Sequence, residues 1–298
     1  RSKVALVDLV SKYILRQKGK KIRPILVLLS AKLCGEITPR SYTAATLVEM
    51  LHTATLIHDD VVDDAKTRRG LASINAVWKN KIAVLMGDFM LSRGLLLALE
   101  NDECGFLKIT SRAVKRMSEG ELLQIQKNRK FDVNEETYFR IISDKTASLI
   151  NACCELGAAS TSKDKNEVKL MGEFGENLGI AFQLRDDLLD YIGKKKIMGK
   201  SSGSDLKEKK FTLPLIHSLN NASKKEAKDI VSLVKNGSYS KSRSIVMDFI
   251  KEHNGIEYTI DKTTEYCATA KNNLQSFKPS ETKDTMIKFV DFISERVN

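Results

Sequence analysis

Proline and aromatic residues are scarce in this sequence. Its 298 residues include only 4 prolines, and aromatic residues make up 6% of the chain. Because proline interrupts helices, so low a content permits long helical segments. Long stretches rich in Leu, Ala, Glu and Lys, without the alternation of Val, Ile and Thr that is typical of strands, also favour an all-α fold. We find no βαβ rhythm and no internal repeat.

Two further features are missing from the sequence: a metal-binding cysteine pattern and an uncharged run of bilayer length. Five cysteines without metal spacing fit a reducing compartment, so we expect the protein to be cytoplasmic. The longest apolar run, 82–99, contains Asp88 and Arg93 and falls short of the roughly 20 residues that span a bilayer. The chain begins at Arg1 rather than Met, so we expect a truncated N-terminus.

The charge is strongly positive, at a formal net value of +11. The lysines that dominate it are scattered, and no stacking or zinc motif accompanies them, so we predict that the protein does not bind nucleic acid. A basic chain also suits anionic diphosphate substrates or transient contact with an anionic membrane surface. With 42% hydrophobic residues, the chain can bury a large core, and we predict a single domain over 1–298.

The most informative stretch is an acidic cluster at the end of an apolar, helix-like run. Asp59, Asp60 and Asp63 stand at i, i+1 and i+4, and Arg68 and Arg69 follow. Like charges one turn apart repel, so this arrangement makes sense mainly if a cation lies between them. Carboxylates suit Mg²⁺, and the planar arginine fork suits phosphate. The stretch therefore indicates a metal-bridged polyphosphate, although an isolated cluster of this kind is equally typical of a solvated helix end.

A second cluster with the same spacing makes the solvated reading less favoured. Asp186, Asp187 and Asp190 again end an apolar, helix-like run, and Phe182 and Gln183 stand one turn before them. Two such clusters facing each other would hold several Mg²⁺ ions around one diphosphate.

Other polar residues interrupt the apolar pattern, and each has two interpretations. Lys20 and Arg23 form either an anion site at the helix that Pro24 is expected to open, or a solvated basic turn. His52 is either a phosphate ligand or an interior histidine. Lys145 with Thr146 either meets a diphosphate or is exposed, and the polar segment 193–211, with Lys200 and Lys210, is either a lid or a mobile surface loop.

Taken in chain order, these motifs resemble those of trans-type polyprenyl diphosphate synthases. The resemblance runs from Lys18 to Arg296 and rests on their combination, since each motif alone is only modestly specific. The motifs are Gly19-Lys20-x-x-Arg23-Pro24, the first aspartate cluster with Arg68-Arg69-Gly70, Gly87-Asp88-Phe89, Lys145-Thr146, Phe182-Gln183 with the second aspartate cluster, and Lys200, Lys210 and Thr212-Leu213-Pro214.

The resemblance implies an isoprenoid synthase helical bundle around a central cavity, a homodimer, and repeated condensation of isopentenyl diphosphate with an allylic diphosphate of farnesyl or geranylgeranyl type. The resemblance implies that catalysis depends on Asp59, Asp60, Asp63, Lys145, Asp186 and Asp187, and that Mg²⁺ is bound by Asp59, Asp63, Asp186 and Asp190. It implies that isopentenyl diphosphate is bound by Lys20, Arg23, His52 and Arg69. It implies that the allylic diphosphate is bound by Arg68, Lys145, Thr146, Gln183, Lys200 and Lys210. The sequence departs from the family pattern at Lys18, where a glycine is usual, and at Arg185, which either points away from the cavity or tunes the second metal cluster.

Product length is indicated by the residues before Asp59. In short-chain members of the family, the positions of Ala54 and Thr55 resemble a plug made of bulky aromatic residues, whereas here both residues are small. Leu51 is the next larger group on that face of the helix. The sequence therefore predicts a medium- or long-chain all-trans product. The alternatives are a short-chain synthase, a terpene cyclase, which typically has a different second metal motif, and a non-catalytic subunit of a heteromeric synthase, which generally lacks some of the aspartates.

Overall fold

The computed structural model describes residues 3–17, 19–130, 134–192, 210–236 and 239–295, and their regular structure is almost entirely helical. The one sheet in these ranges is a hairpin of two short strands, so the all-α prediction is confirmed. The elements are α1 (Ala5–Arg16), α2 (Ile22–Cys34), α3 (Pro39–Val62), β1 (Thr67–Arg68), β2 (Leu71–Ala72), α4 (Ile74–Glu100), α5 (Cys104–Lys130), α6 (Glu135–Ile142), a π-helix (Ser143–Ala147), α7 (Ser148–Thr161), α8 (Lys165–Ile192), α9 (Leu213–Asn221), α10 (Lys224–Asn236), α11 (Tyr239–Glu252), α12 (Gly255–Asn273) and α13 (Glu281–Glu295).

The chain divides into two compact units, called unit 1 and unit 2 below. Unit 1 comprises Arg1–Thr110 and Glu155–Lys165, and unit 2 comprises Ser111–Cys154 and Asn166–Asn298. The first aspartate cluster therefore belongs to unit 1 and the second to unit 2. The single domain over 1–298 stays a prediction.

In unit 1, α3 and α4 pack closely because glycines of α4 face side chains of α3. A Cβ atom on Gly94 would lie 3.4 Å from Leu47, and one on Gly87 would lie 2.3 Å from the imidazole of His58. Glycine at these positions lets the two helices approach each other without a side chain between them. This contact fixes the helix that carries the first aspartate cluster.

Helix α2 begins earlier than the sequence predicted. We expected Pro24 to open the helix and Arg23 to lie in the preceding loop, but the helix begins at Ile22, after Lys21 in a left-handed conformation with φ 52°. The physical reason is that the first N–H groups of a helix have no intrahelical partner, so a proline in the first turn costs no hydrogen bond. Arg23 is consequently held on the helix.

Helix α4 keeps part of its apolar surface exposed: Leu85 is 55% exposed and Leu99 is 52% exposed in the single chain. The expectation that no apolar run is long enough to span a bilayer was wrong, because α4 qualifies by length and composition. A core helix of a folded protein passes the same test, and one side of α4 packs on α3.

In unit 2, the core lies between α8, α9 and α11. Leu184 of α8, Leu213 of α9 and Ile250 of α11 are fully buried in one hydrophobic cluster. This packing fixes α8, whose C-terminal turns carry the second aspartate cluster.

Candidate active site

The first aspartate cluster lies at the C-terminal end of α3. Asp59 and Asp60 are in the last turn, Asp63 caps the helix, and the backbone N–H of Asp63 donates to the carbonyl of Asp59 at 2.8 Å. Asp59 and Asp63 are exposed, whereas Asp60 is buried. A helix C-terminus carries partial negative charge, so three carboxylates there are unfavourable without cations. The expectation that this cluster ends a helix is confirmed.

Arg68 supplies one of those cations. Its Nε and Nη2 both donate to Oδ1 of Asp60, at 2.8 and 2.5 Å. The side-chain amide of Asn75 also donates to the carbonyl oxygen of Asp60, at 3.0 Å. Arg68, predicted from the sequence to bind the allylic diphosphate, is therefore anchored to Asp60 within unit 1.

The hairpin that carries Arg68 and Arg69 was not predicted. Its two-residue turn consists of Arg69 and Gly70, both with positive φ, at 52° and 79°. Positive φ at both central residues is the pattern of a type I′ turn, which matches the twist of paired strands. A Cβ atom on Gly19 would lie 2.4 Å from Nη1 of Arg69, so the guanidinium rests directly against the backbone of that glycine. Strands of two residues are too short to show an alternating pattern in the sequence.

His52 is buried in a strongly cationic environment. Burial, followed by the positive charges of Arg23 and Arg69, lowers the pKa of His52 to about 3, so its ring is neutral at neutral pH. Three of the four residues predicted to bind isopentenyl diphosphate thus influence one another electrostatically. The fourth, Lys20, is exposed on the segment that leads into α2.

Unit 1 also contains an apolar cavity of about 490 Å³ along α3. Its walls include Met50 and Ile57, and Asp60, Arg68 and Arg69 stand among its polar lining residues. The residues predicted to control product length are not part of this lining: Ala54 and Leu51 are buried elsewhere in unit 1, and Thr55 is partly buried.

The second aspartate cluster lies in the last two turns of α8. Asp187 and Asp190 are buried, and Asp186 is partly exposed. Both carboxylate oxygens of Asp187 are bonded: Oδ2 accepts from the hydroxyl of Tyr138 at 2.6 Å, and Oδ1 accepts from the amide of Gln183 at 2.7 Å. These hydrogen bonds orient the carboxylate of Asp187. Both donors are neutral, so the negative charge of the cluster stays near the C-terminal end of α8.

The cavity beside this cluster brings together most of the residues predicted for the allylic diphosphate. It measures about 110 Å³, and Lys145, Thr146, Gln183, Asp187 and Lys210 all line it. The hydroxyl of Thr146 donates to the amide oxygen of Gln183 at 2.9 Å. Lys200 lies outside the described residues. Cationic, hydroxyl and amide groups around a small polar space are suited to binding a phosphate group.

Lys145 is oriented by two residues of α5. Its ammonium donates to the amide oxygen of Gln124 at 2.9 Å and forms an ion pair with Glu121. The interpretation of Lys145 as a solvated surface lysine is therefore not favoured.

Within the described ranges, no group of three or more acidic, histidine or cysteine side chains converges on a point that could hold a metal. This does not conflict with Mg²⁺, which proteins commonly hold with one or two carboxylates, water and substrate phosphates. Exposed Asp59 and Asp63 provide such a pair in unit 1.

Comparison with known proteins identifies the family. The family model described as "Polyprenyl synthetase" matches residues 4–251, most of the chain. This chain belongs to the polyprenyl synthetase family. Members of the family are prenyltransferases, so the predictions of family and of enzyme class are confirmed.

Relatives of this polyprenyl synthetase match over nearly the whole chain. An all-trans-nonaprenyl-diphosphate synthase (geranyl-diphosphate specific) from Rhodobacter capsulatus is 35% identical, covering 99% of this chain and 91% of its own. The crystal structure of a decaprenyl diphosphate synthase from the same organism is 32% identical with a TM-score of 0.93, covering 100% of this chain and 92% of its own. The chain has the all-α isoprenoid synthase fold.

A further structure is informative about ligands in the family. Polyprenyl synthase from Caulobacter crescentus CB15, in complex with calcium and isoprenyl diphosphate, is 32% identical with a TM-score of 0.90. The match covers 100% of this chain and 91% of that protein.

One residue at the second site was missed in the sequence, and another belonged to a motif without a role assigned to it. Tyr138 lines the cavity, but nothing in its sequence neighbourhood distinguishes it from a core residue. Thr212, which opens the Thr212-Leu213-Pro214 motif, also lines the cavity. Arg185, for which the sequence left open whether it points away from the cavity or tunes the second metal cluster, places its guanidinium 5.2 Å from the ring centre of Phe292. This cation–π contact explains how an arginine is accommodated in the buried face of α8.

Proposed function

We propose that this synthase condenses isopentenyl diphosphate repeatedly with an allylic diphosphate to form a medium- or long-chain all-trans polyprenyl diphosphate. The observation that carries the proposal is the small polar cavity of unit 2, where Lys145, Thr146, Gln183 and Lys210 surround space for a phosphate group beside Asp187. No enzymic nucleophile is needed for this chemistry. The allylic C–O bond breaks with its electron pair leaving on diphosphate, the double bond of isopentenyl diphosphate attacks C1, and the released diphosphate accepts the proton.

The two substrates are assigned to different units. Lys145 and Lys210 would neutralise the charge that develops on the departing diphosphate, while Thr146 and Gln183 would donate hydrogen bonds to it. In unit 1, Arg23 and Arg69 would bind isopentenyl diphosphate together with Lys20, and the neutral ring of His52 would serve as a hydrogen-bonding group rather than as a further charge.

Carboxylates of the two clusters fit a divalent cation. Asp59 and Asp63, both exposed, stand one turn apart at the negative end of α3. Asp186, partly exposed, and Asp190, buried, stand one turn apart near the end of α8. We infer that these four aspartates hold Mg²⁺, with Asp60 and Asp187 supporting them. When bound, Mg²⁺ would polarise the diphosphate leaving group. The calcium and isoprenyl diphosphate in the Caulobacter crescentus relative support a divalent metal in this family.

The remaining assignments concern size, assembly and location. Small Ala54 and Thr55 before Asp59 support a long product, as does the nonaprenyl product named for the Rhodobacter capsulatus relative.

We propose a homodimer that acts in the cytoplasm, with brief membrane-surface contact during product release. All six aspartates are present, which favours an active synthase over a silent subunit of a heteromeric enzyme.

The function is tested by supplying the purified chain with farnesyl diphosphate, isopentenyl diphosphate and Mg²⁺ and separating the products by chromatography. We expect a polyprenyl diphosphate longer than geranylgeranyl, lost on chelation of Mg²⁺ and in Asp59→Ala. The matched control is Asp64→Ala, an exposed aspartate paired with Lys66 at 2.7 Å, which should leave elongation intact. A hydrocarbon product would indicate a cyclase, and no product from the chain alone would indicate a partner-dependent subunit.

A further inference from the structure

The residues assigned to the allylic diphosphate include an irregular stretch of helix. Lys145 and Thr146 lie in the π-helix Ser143–Ala147, which interrupts the helical run between α6 and α7. A single π turn inside an α-helical run is rare and is frequently found at a functional site.

One arginine of α5 holds the start of this turn. Arg116 donates from Nε to Oδ1 of Asp144 at 2.7 Å and from Nη2 to the hydroxyl of Ser143 at 2.7 Å. Its Nη1 and Nη2 also donate to the two carboxylate oxygens of Glu176 on α8, at 3.0 and 2.7 Å. Ser143 in turn donates to Glu176 at 2.6 Å. The hydrogen bonds to Glu176, followed by those to Asp144, raise the pKa of Arg116 above its ordinary value.

Backbone packing restrains the turn from two sides. A Cβ atom on Gly120 of α5 would lie 2.9 Å from the backbone nitrogen of Lys145, and one on Gly179 of α8 would lie 2.5 Å from Cα of Ala147. Neither position has room for a side chain, so both neighbouring helices touch the π turn directly.

Arg116 is not itself placed to bind substrate. It does not line the cavity of unit 2, and each of its three nitrogens already donates to Asp144, Ser143 or Glu176. The residues next to its partners in sequence, Lys145 and Thr146, do line that cavity. The network therefore reaches the substrate space through the π turn.

We propose that Arg116, bridging Ser143 and Asp144 to Glu176, is a positioning residue for the allylic diphosphate. It fixes the π turn so that Lys145 points toward Gln124 and Thr146 toward Gln183. This inference rests on the proposed function. It assigns a role in the reaction to Arg116, Ser143, Asp144 and Glu176, none of which belongs to the binding motifs named above.

The test measures binding of farnesyl thiodiphosphate, an unreactive allylic analogue, by calorimetry in the presence of Mg²⁺. Arg116→Gln removes the fork, leaves Glu176 without the guanidinium of Arg116 and leaves Asp144 with only the exposed Arg140 at 3.8 Å, so we expect the dissociation constant to rise about tenfold or more, and kcat/KM for farnesyl diphosphate to fall by up to about 100-fold. The KM for isopentenyl diphosphate should change by less than about twofold, because its assigned residues belong to unit 1.

A double-mutant cycle separates positioning from a general structural role. If Arg116 acts through Lys145, Arg116→Gln should weaken analogue binding by less than about twofold when Lys145→Ala is already present. Equal weakening in both backgrounds would overturn the proposal. If Arg116→Gln fails to fold, as judged by circular dichroism, Arg116→Lys enters the same cycle, since it keeps the charge but loses the fork.

The matched control is Arg140→Gln. Arg140 pairs with the same carboxylate, 3.8 Å from Oδ2 of Asp144, but its side chain is 69% exposed, and an exposed ion pair of this kind contributes little. It should leave analogue binding unchanged, and weakening equal to that of Arg116→Gln would also overturn the proposal. If the wild-type chain elongates farnesyl diphosphate while Arg116→Gln binds the analogue normally, the positioning role fails and the proposed function stands. A wild-type chain without prenyl transfer would instead contradict the function.

Discussion

At the scale of single residues, His52 shows how a sequence position acquires its chemistry from its surroundings. In the sequence it is one histidine in an apolar run, equally compatible with a ligand and with a core residue. In the structure, burial and the nearby guanidinium groups of Arg23 and Arg69 keep its ring neutral. A neutral imidazole beside two arginines contributes a directional hydrogen bond without adding to a cluster that is already positive.

This environment predicts a pH-dependent contribution to stability. The pKa of His52 falls from 6.5 to about 3 on folding, so between these values the unfolded chain binds a proton that the folded chain does not. Stability is therefore lost as the pH falls through this window. From pH 7 to pH 5, the free energy of unfolding of the wild type should drop by roughly 2 kcal/mol more than that of His52→Asn, measured by urea denaturation. Parallel curves for the two proteins would contradict the assignment.

At the scale of elements, the hairpin β1–β2 and the π-helix are the two irregular features that aim functional side chains. The hairpin directs Arg68 to Asp60 and Arg69 to Gly19, and the π-helix directs Lys145 and Thr146 to the cavity of unit 2. The hairpin depends on positive φ at Arg69 and Gly70, which a residue other than glycine adopts at a cost.

The hairpin turn gives a prediction at this scale. Gly70 has a φ of 79°, where an L-residue is strained by roughly 1–2 kcal/mol, so Gly70→Ala should lower the free energy of unfolding by about 1 kcal/mol. Because Arg69 occupies the same turn, the KM for isopentenyl diphosphate should rise several-fold in steady-state assays. The control is Gly105→Ala on α5, where a Cβ atom meets nothing within 4 Å and stability should hold or increase. Equal effects of the two substitutions would refute the turn assignment.

At the scale of the whole molecule, the exposed apolar side chains of α4 are suited to contact with a partner chain. Val77, Leu85, Leu96 and Leu99 are each more than two fifths exposed on this one helix. Several large apolar side chains exposed on one helix are typical of an interface between proteins. The proposed homodimer provides an occupant for that surface.

Assembly can be measured directly by analytical ultracentrifugation. We expect the wild type to sediment as a dimer and Leu85→Glu with Leu99→Glu to shift it to monomer, because buried charge at an interface is costly. Ile245→Glu on α11, where the side chain is similarly exposed at 51%, serves as the control and should leave the dimer intact. A wild type that sediments as a monomer would remove the homodimer from the proposal.

Product length is the second property of the whole molecule, and two routes along α3 compete for it. The sequence predicts a route past Ala54, whereas the cavity of unit 1 passes Met50. If the growing chain follows the predicted route, Ala54→Phe should shorten the product by one or more isoprene units and Met50→Phe should not, as read by chromatography. The reverse result would assign the hydrocarbon to the cavity along Met50.

Much of the candidate site was predictable because its chemistry is local in the sequence. Paired aspartates at i and i+4 share a helix face wherever that helix lies, and both clusters do end long helices. Tyr138 was not predictable from the sequence. Its hydroxyl donates to Asp187, which is 49 positions away in the chain, and the residues around Tyr138 have the pattern of a buried core. Lys145 had two equal interpretations until its contacts with Gln124 and Glu121 were known.

The sequence alone determined the helical class, the two acidic clusters and the family, because helical periodicity, charge spacing and motif order are properties of neighbouring residues. Only the tertiary structure decided which charges are already neutralised, such as Asp60 by Arg68, and which backbone segments leave regular geometry, such as the π turn held by Arg116. Those outcomes depend on burial and on partners distant in the chain. Burial changes the free energy of a charge by more than any local spacing does, and the sequence does not display it.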